Sequence, residues 1–127
     1  MVDTPEKILV IEDELSLREL YIELLTDTGY QVDYAVDGEI GLEKIKKGGW
    51  DLILLDIILP KIDGLTVLQT LQNEPLSVSN GPIIMLTALA QDTLVHKALE
   101  SGASGYLVKS EITPGQVLEE VKNFLSH

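Results

Sequence analysis

Five short apolar runs, Ile8–Ile11, Val32–Ala35, Leu52–Leu55, Ile83–Leu86 and Tyr106–Val108, recur along the chain, each followed by a longer stretch of helical periodicity. Runs this short between turn signals suit strands, and the stretches between them are long enough for helices. Strands separated by helices must run parallel, because each helical crossover carries the chain back to the same edge of the sheet. A run apolar throughout, such as Leu52–Leu55, fits a strand covered on both faces. The rhythm is (βα)5, and the fold class it predicts is α/β, a doubly wound five-stranded parallel sheet.

The helical stretches carry their own punctuation. Leu17, Leu20, Tyr21, Leu24 and Thr28 fall at helix spacing, and Gly29 closes that helix. Gly38, Leu42 and Ile45 repeat similarly and stop at Gly48-Gly49, and Leu65, Leu68 and Leu71 mark the third helix. Val95, Leu99 and Gly102 mark the fourth. The fifth opens on Thr113-Pro114-Gly115-Gln116, a capping box with proline in the first turn, after which Val117, Val121 and Phe124 face inward. Asn73–Pro82 reads as a polar loop, broken by Pro75 and by Asn80-Gly81-Pro82. With 127 residues and no repeat or linker, the chain is expected to be a single domain, 1–127.

Charge and cysteine content narrow the function. Nine basic against 21 acidic residues give a net charge of −12, which repels nucleic acid and anionic lipid, so no direct nucleic-acid binding and no membrane partner are expected. Cysteine is absent, which removes disulfides and thiolate metal sites. The start shows no signal peptide, and the longest greasy stretch, Leu52–Leu59, is interrupted by Asp56 and too short to span a bilayer. The expectation is a soluble, cytoplasmic protein.

In an open parallel sheet, ligands bind at the carboxyl ends of the strands. The first strand ends in Glu12-Asp13, the third in Asp56, the fourth in Thr87 and the fifth in Lys109. Singly these residues mean little: Asp13 can cap the next helix, Lys109 can be a surface lysine, and Thr87 is a β-former. Asp56 is different, because it lies between Leu52–Leu55 and Ile57–Leu59. A carboxylate there is costly to bury without a partner. Together, the carboxylates make an oxygen-only site for a hard cation, Mg²⁺ or a close substitute. Such an ion bridges carboxylates and an incoming phosphoryl group, leaving Asp56 as a carboxylate nucleophile. Lys109 and Thr87 would then hold further phosphoryl oxygens.

The segments Ile-Glu12-Asp13-Glu, Leu-Leu-Asp56-Ile-Ile-Leu-Pro-Lys-Ile-Asp63-Gly64, Met-Leu-Thr87-Ala88 and Gly-Tyr106-Leu-Val-Lys109 resemble, in kind and order, the signature segments of response-regulator receiver domains of two-component signalling, the chemotaxis regulators among them. The resemblance covers about residues 7–125. It implies a flavodoxin-like sheet ordered 2-1-3-4-5 and phosphorylation of Asp56 by a histidine kinase or histidine phosphotransfer protein. It implies Mg²⁺ held by Asp13, Asp56 and the backbone carbonyl of Ile58, with Glu12 reaching it through water. Thr87, Ala88 and Lys109 would contact the phosphoryl group, and Tyr106 matches the switch aromatic that follows Thr87. Tyr106 also fits a plain half-buried strand position. The output face would be the fourth helix, fifth strand and fifth helix, serving an unidentified effector or a phosphorylation-dependent dimer. The chain ends just after the last helix, so an effector domain is not expected within it.

Two departures stand out. Ser110 follows Lys109 where the family usually has proline after a cis bond, and a cis bond to a non-proline residue costs about 2.5–4 kcal/mol, so Lys109–Ser110 is expected to be trans. Trp50 stands where proline is frequent, six residues before Asp56 and roughly 20 Å from it at about 3.3 Å per residue. The resemblance also puts Ile58 and Leu89 beside the path of a hydrolytic water, where neither can orient it. A long-lived phosphorylated state is expected, although both residues also suit a simple covering of the sheet edge.

Other classes fit less well. An aspartyl phosphatase or phosphotransferase places a second aspartate two residues after the nucleophile, where this chain has Ile58. A flavin or nucleotide module needs a phosphate-cradling loop after the first strand, and Glu12-Asp13-Glu14 repels phosphate unless a metal intervenes. A degenerate receiver used only for docking does not need the complete set of acids, threonine and lysine. The reading is therefore a signalling switch rather than an enzyme.

Overall fold

The computed structural model describes residues 4–126. Strands β1 (Lys7–Ile11), β2 (Gln31–Ala35), β3 (Leu52–Leu55), β4 (Ile83–Thr87) and β5 (Gly105–Val108) alternate with helices α1 (Leu15–Thr28), α2 (Gly38–Lys47), α3 (Gly64–Asn73), α4 (Asp92–Glu100) and α5 (Pro114–Leu125). All neighbouring strands pair in parallel, in the order β2-β1-β3-β4-β5. The fold is the doubly wound, flavodoxin-like sheet that the rhythm and the resemblance implied.

Strand alternation divides the core into two layers. Leu9, Ile11, Ile53, Leu55 and Met85 pack under α2, α3 and α4 through Ile45, Val67, Leu68 and Ala98. Ile8, Val10, Leu52, Leu54, Ile84 and Leu86 pack on the other face against Tyr21 and Leu25 of α1 and Val117 and Val121 of α5. Successive residues of a strand point to opposite faces, so an unbroken apolar run serves both layers. Each fully buried Ile or Leu contributes about 1.5–3 kcal/mol.

Helix starts follow from their caps. Asp37 accepts from the Ile40 N–H at 2.7 Å and Asp63 from the Thr66 N–H at 2.8 Å. Thr113 and Gln116 form the expected reciprocal box at α5. The cap of α1 is Glu14, with no side-chain bond, so Asp13 does not serve as a cap. In two helices some of the residues that mark the periodicity stay outside the core. In α4 the buried residue is Ala98, while Leu99 is 47% exposed. In α1, Tyr21 and Leu25 turn inward and Leu20 outward.

Two glycines permit close approaches that place the β3–α3 loop. A Cβ on Gly64 would stand 2.1 Å from the Asp56 carbonyl oxygen, and one on Gly38 would stand 1.6 Å from the Ile62 carbonyl oxygen. The Gly38 N–H donates to the Pro60 carbonyl at 3.2 Å, seating the loop on the start of α2. Among the described residues there is no cis peptide bond, so Lys109–Ser110 is trans as expected, and Lys109–Glu111 continues as one short 3-10 turn.

Candidate phosphoacceptor and metal site

The chain leaves β1 toward β2 on one side and returns through β3 on the other, so strand order reverses between β1 and β3. Such a switch point leaves a crevice at the carboxyl ends of the strands. Glu12 and Asp13 follow β1 and Asp56 follows β3, so the acids flank this crevice. The Asp56 N–H donates to the Ile11 carbonyl and the Glu12 N–H to the Ala35 carbonyl, which extends the strand ladders into the acidic residues.

Carboxylate oxygens of Glu12, Asp13 and Asp56 lie within 4.8 Å of one another. Glu12 and Asp56 are buried and Asp13 is exposed. Lys109 Nζ donates to Glu12 Oε1 and, at 2.8 Å, to Asp56 Oδ2. Burial pulls the Lys109 ammonium down, but its hydrogen bonds to Asp56 and Glu12 outweigh this and hold it above the usual lysine value. Burial pushes Glu12 above the usual carboxylate value, and the Lys109 contact offsets only part of that. One ammonium shared by two buried carboxylates cannot compensate both.

The donor set suits a hard divalent cation. Three carboxylates face one ammonium, Lys109, and one guanidinium, Arg18, that bonds main-chain carbonyls only, so the carboxylates outnumber the nearby cations. Two ligands of one Mg²⁺ at about 2.1 Å each stand at most about 4.2 Å apart, a spacing on the scale of this cluster.

The remaining residues named from the sequence line the same rim. Thr87 is fully buried, and its Oγ1 accepts from the Leu89 N–H at 3.4 Å. The Tyr106 hydroxyl donates to the Leu89 carbonyl at 2.7 Å. Burial raises the phenol above its usual range, helped by the charge of Asp56. The Ile58 N–H donates to Asp56 Oδ1 at 3.2 Å, and the Ile58 side chain is 53% exposed. Ala88 is exposed and Leu89 half-buried. Sequence reasoning missed the Leu89 carbonyl as the anchor of Tyr106. It also missed Arg18, the only arginine, whose Nη1 donates to the Glu12 and Asp13 carbonyls. Its single signal is a position one helical turn into α1, just after the acids.

Acids and a covered lysine gathered at the switch point of a doubly wound sheet form a site suited to a cation and a phosphoryl group. Residues 8–122 match the family described as response regulator receiver domain, and the chain belongs to that family, whose characteristic role is to accept a phosphoryl group in two-component signalling. It is 47% identical over 103 residues to the transcriptional regulatory protein DltR of Streptococcus agalactiae, covering 81% of this chain and 45% of that protein. It is 37% identical over 124 residues to the chemotaxis protein CheY of Treponema pallidum, covering 95% of this chain and 83% of that protein. A CheY-like response regulator receiver domain protein from Methanospirillum hungatei has a TM-score of 0.85 and 28% identity, over 96% of this chain and 94% of that one. The chain thus spans about half the length of the transcriptional regulator and most of the chemotaxis protein. Receivers of this family work with histidine kinases and output effectors. No helix among the described residues is long and apolar enough to cross a membrane.

Proposed function

We propose that this chain, as one domain, is a phosphorylation-dependent cytoplasmic switch with Asp56 as its acceptor. The observation that carries this is the cluster of three carboxylates beside a lysine that two of them share. Asp13, Asp56 and the backbone carbonyl of Ile58 would hold Mg²⁺, with Glu12 acting through a water; the ion, when bound, neutralises charge on the incoming phosphoryl group. An Asp56 carboxylate oxygen attacks phosphorus on a histidine kinase or phosphotransfer protein. The P–N bond breaks, its electron pair returns to the imidazole nitrogen, and that nitrogen takes up a proton. Lys109 turns to a phosphoryl oxygen, with Thr87 and the Ala88 backbone at the others.

The switch follows from hydrogen bonds already present. Thr87 Oγ1 accepts from Leu89, which leaves the hydroxyl hydrogen for a phosphoryl oxygen. Turning Thr87 toward that oxygen deprives the Leu89 N–H of its acceptor, and the Leu89 carbonyl carries Tyr106. Movement thereby reaches α4, β5 and α5, the proposed face for an output partner or a phosphorylation-dependent dimer. Taking this equilibrium from mostly inactive to mostly active requires about 5.5 kcal/mol of preference for the active state.

The test is intact-mass analysis after incubation with a small acyl phosphate. One phosphoryl group should appear only with Mg²⁺ and vanish in Asp56→Asn. Label retained in Asp56→Asn, or uptake in chelator, refutes the reading. Amide shifts on adding a phosphoryl mimic should include residues 88–115.

A further inference from the structure

Asp13 is the acid whose placement has the least visible support. Glu12 is tied to Lys109 and, through Oε2, to the Glu14 N–H at 3.2 Å. Asp13 is exposed and caps no helix, so its carboxylate stands where its main chain puts it. That main chain is held by Arg18. Nη1 donates to the Glu12 carbonyl at 3.0 Å and to the Asp13 carbonyl at 3.3 Å, gripping both peptides that follow β1. The guanidinium is itself restrained. Its central carbon lies 5.3 Å from the centroid of the Tyr34 ring on β2, and Lys44 Nζ lies 5.6 Å from the same ring. The outward N–H and carbonyl of Tyr34 are also taken, by Asp33 Oδ1 and Lys44 Nζ, each at 2.7 Å. The loop bearing two of the three acids is therefore anchored, through one arginine, to a neighbouring strand and helix.

Resting on the proposed metal site, we infer that Arg18 is a positioning residue for it. Arg18 fixes the Glu12–Asp13 peptides and so sets where those carboxylates meet the ion. A guanidinium beside a cation site has a second, opposing effect. Its positive charge repels the ion, and deleting it by Coulomb's law alone tightens binding. The two roles predict opposite signs. A purely structural role predicts a third pattern, in which the metal-free protein melts earlier while the folded protein binds the ion unchanged.

The experiment is calorimetric titration of Mg²⁺ alone into the wild-type chain, Arg18→Met and Asp13→Asn, with metal-free thermal midpoints alongside. Removing groups that orient metal ligands typically weakens affinity by about 10–100-fold, and Arg18→Met is expected at about tenfold. Affinity equal to or tighter than wild type, in an Arg18→Met protein that folds, overturns the inference while leaving the metal site itself intact. If Arg18→Met does not fold, Arg18→Lys carries the test, because it keeps the charge and loses the planar guanidinium that reaches the Glu12 and Asp13 carbonyls. Weaker binding there supports positioning, and unchanged binding overturns it. If the wild-type chain takes up no Mg²⁺, or Asp13→Asn binds as wild type does, the reading of the site fails and the inference falls with it.

Discussion

Lys109 donates to two carboxylates from a largely covered position, with 17% of its side chain exposed and Glu12 at 3%. Removing one partner of a buried ion pair leaves uncompensated charge, at a cost of about 3–5 kcal/mol. Lys109→Met should therefore destabilise the metal-free protein by about 3 kcal/mol in denaturant melts, and saturating Mg²⁺ should recover much of the loss. The pH dependence has a definite sign. Glu12 is raised above its ordinary 4.5, so the folded protein holds the proton more tightly than the unfolded chain just above that value, and metal-free stability falls as pH rises there. Lys109 is likewise raised above 10.5, so its contribution is complete below that value and lost as pH climbs through the folded one. Urea midpoints measured across both windows check these signs. Ile58 belongs to the same scale: exposed and next to the acceptor, it has no group to orient water. Ile58→Asn should shorten the phosphorylated state by about a hundredfold, and Leu89→Gln should act in the same direction, read as loss of label over time. Indifference to both would falsify the lifetime argument. The acids, Thr87 and Lys109 were legible because each directly follows an apolar run. Arg18 and the Leu89 carbonyl were not, because a bond to a main-chain oxygen across a loop leaves no mark in residue type.

At the level of strands and helices, periodicity revealed which elements exist better than which face each presents. Val95 and Leu99, four residues apart, mark the helix, yet α4 buries Ala98 and leaves Leu99 in solvent. The apolar arc of a short helix is wide enough for neighbouring stripes to compete, and the packing partner decides between them. The edge strand β2 carries a device that periodicity cannot show at all. Unpaired N–H and carbonyl groups on an edge invite another strand, and here the outward pair on Tyr34 is blocked by Asp33 and Lys44. Asp33 pays a burial penalty, but the bonds from Lys44 and the Tyr34 N–H outweigh it and hold the carboxyl below its usual value. Its contribution is thus present above about pH 3.8 and lost as pH falls through the lower folded value. Lys44→Ala should increase concentration-dependent self-association in light scattering. Lys46→Ala, which removes an equal charge from a surface pair with Glu74, should not. Equal association in both variants would assign the effect to charge rather than to the edge.

Across the whole molecule, parallel strands and two covered faces were readable from the rhythm of runs alone, whereas the order 2-1-3-4-5 came with the family resemblance. Nothing in local sequence says on which side of β1 the next strand will lie. The order matters because it places the acids at one end of the sheet and Trp50 at the other. Trp50 is buried, its indole N–H donates to the Lys44 carbonyl at 2.8 Å, and Lys7 Nζ lies 4.9 Å from its ring centroid. None of these contacts involves the acidic rim, about 20 Å away along β3 by strand rise. Two behaviours should therefore separate. In the folded protein, titrating Mg²⁺ should leave Trp50 emission nearly unchanged, because the ion alters charge only at the far end. During unfolding the same indole loses its enclosure, so its emission reports global stability. A ligand bound only by the folded state stabilises it by about 2.7 kcal/mol at a hundredfold excess over its dissociation constant. The melting midpoint read at Trp50 should rise with Mg²⁺ by the corresponding amount, and the rise should disappear in Asp13→Asn. Strong quenching of native emission by Mg²⁺ would show coupling along the sheet, contrary to this account.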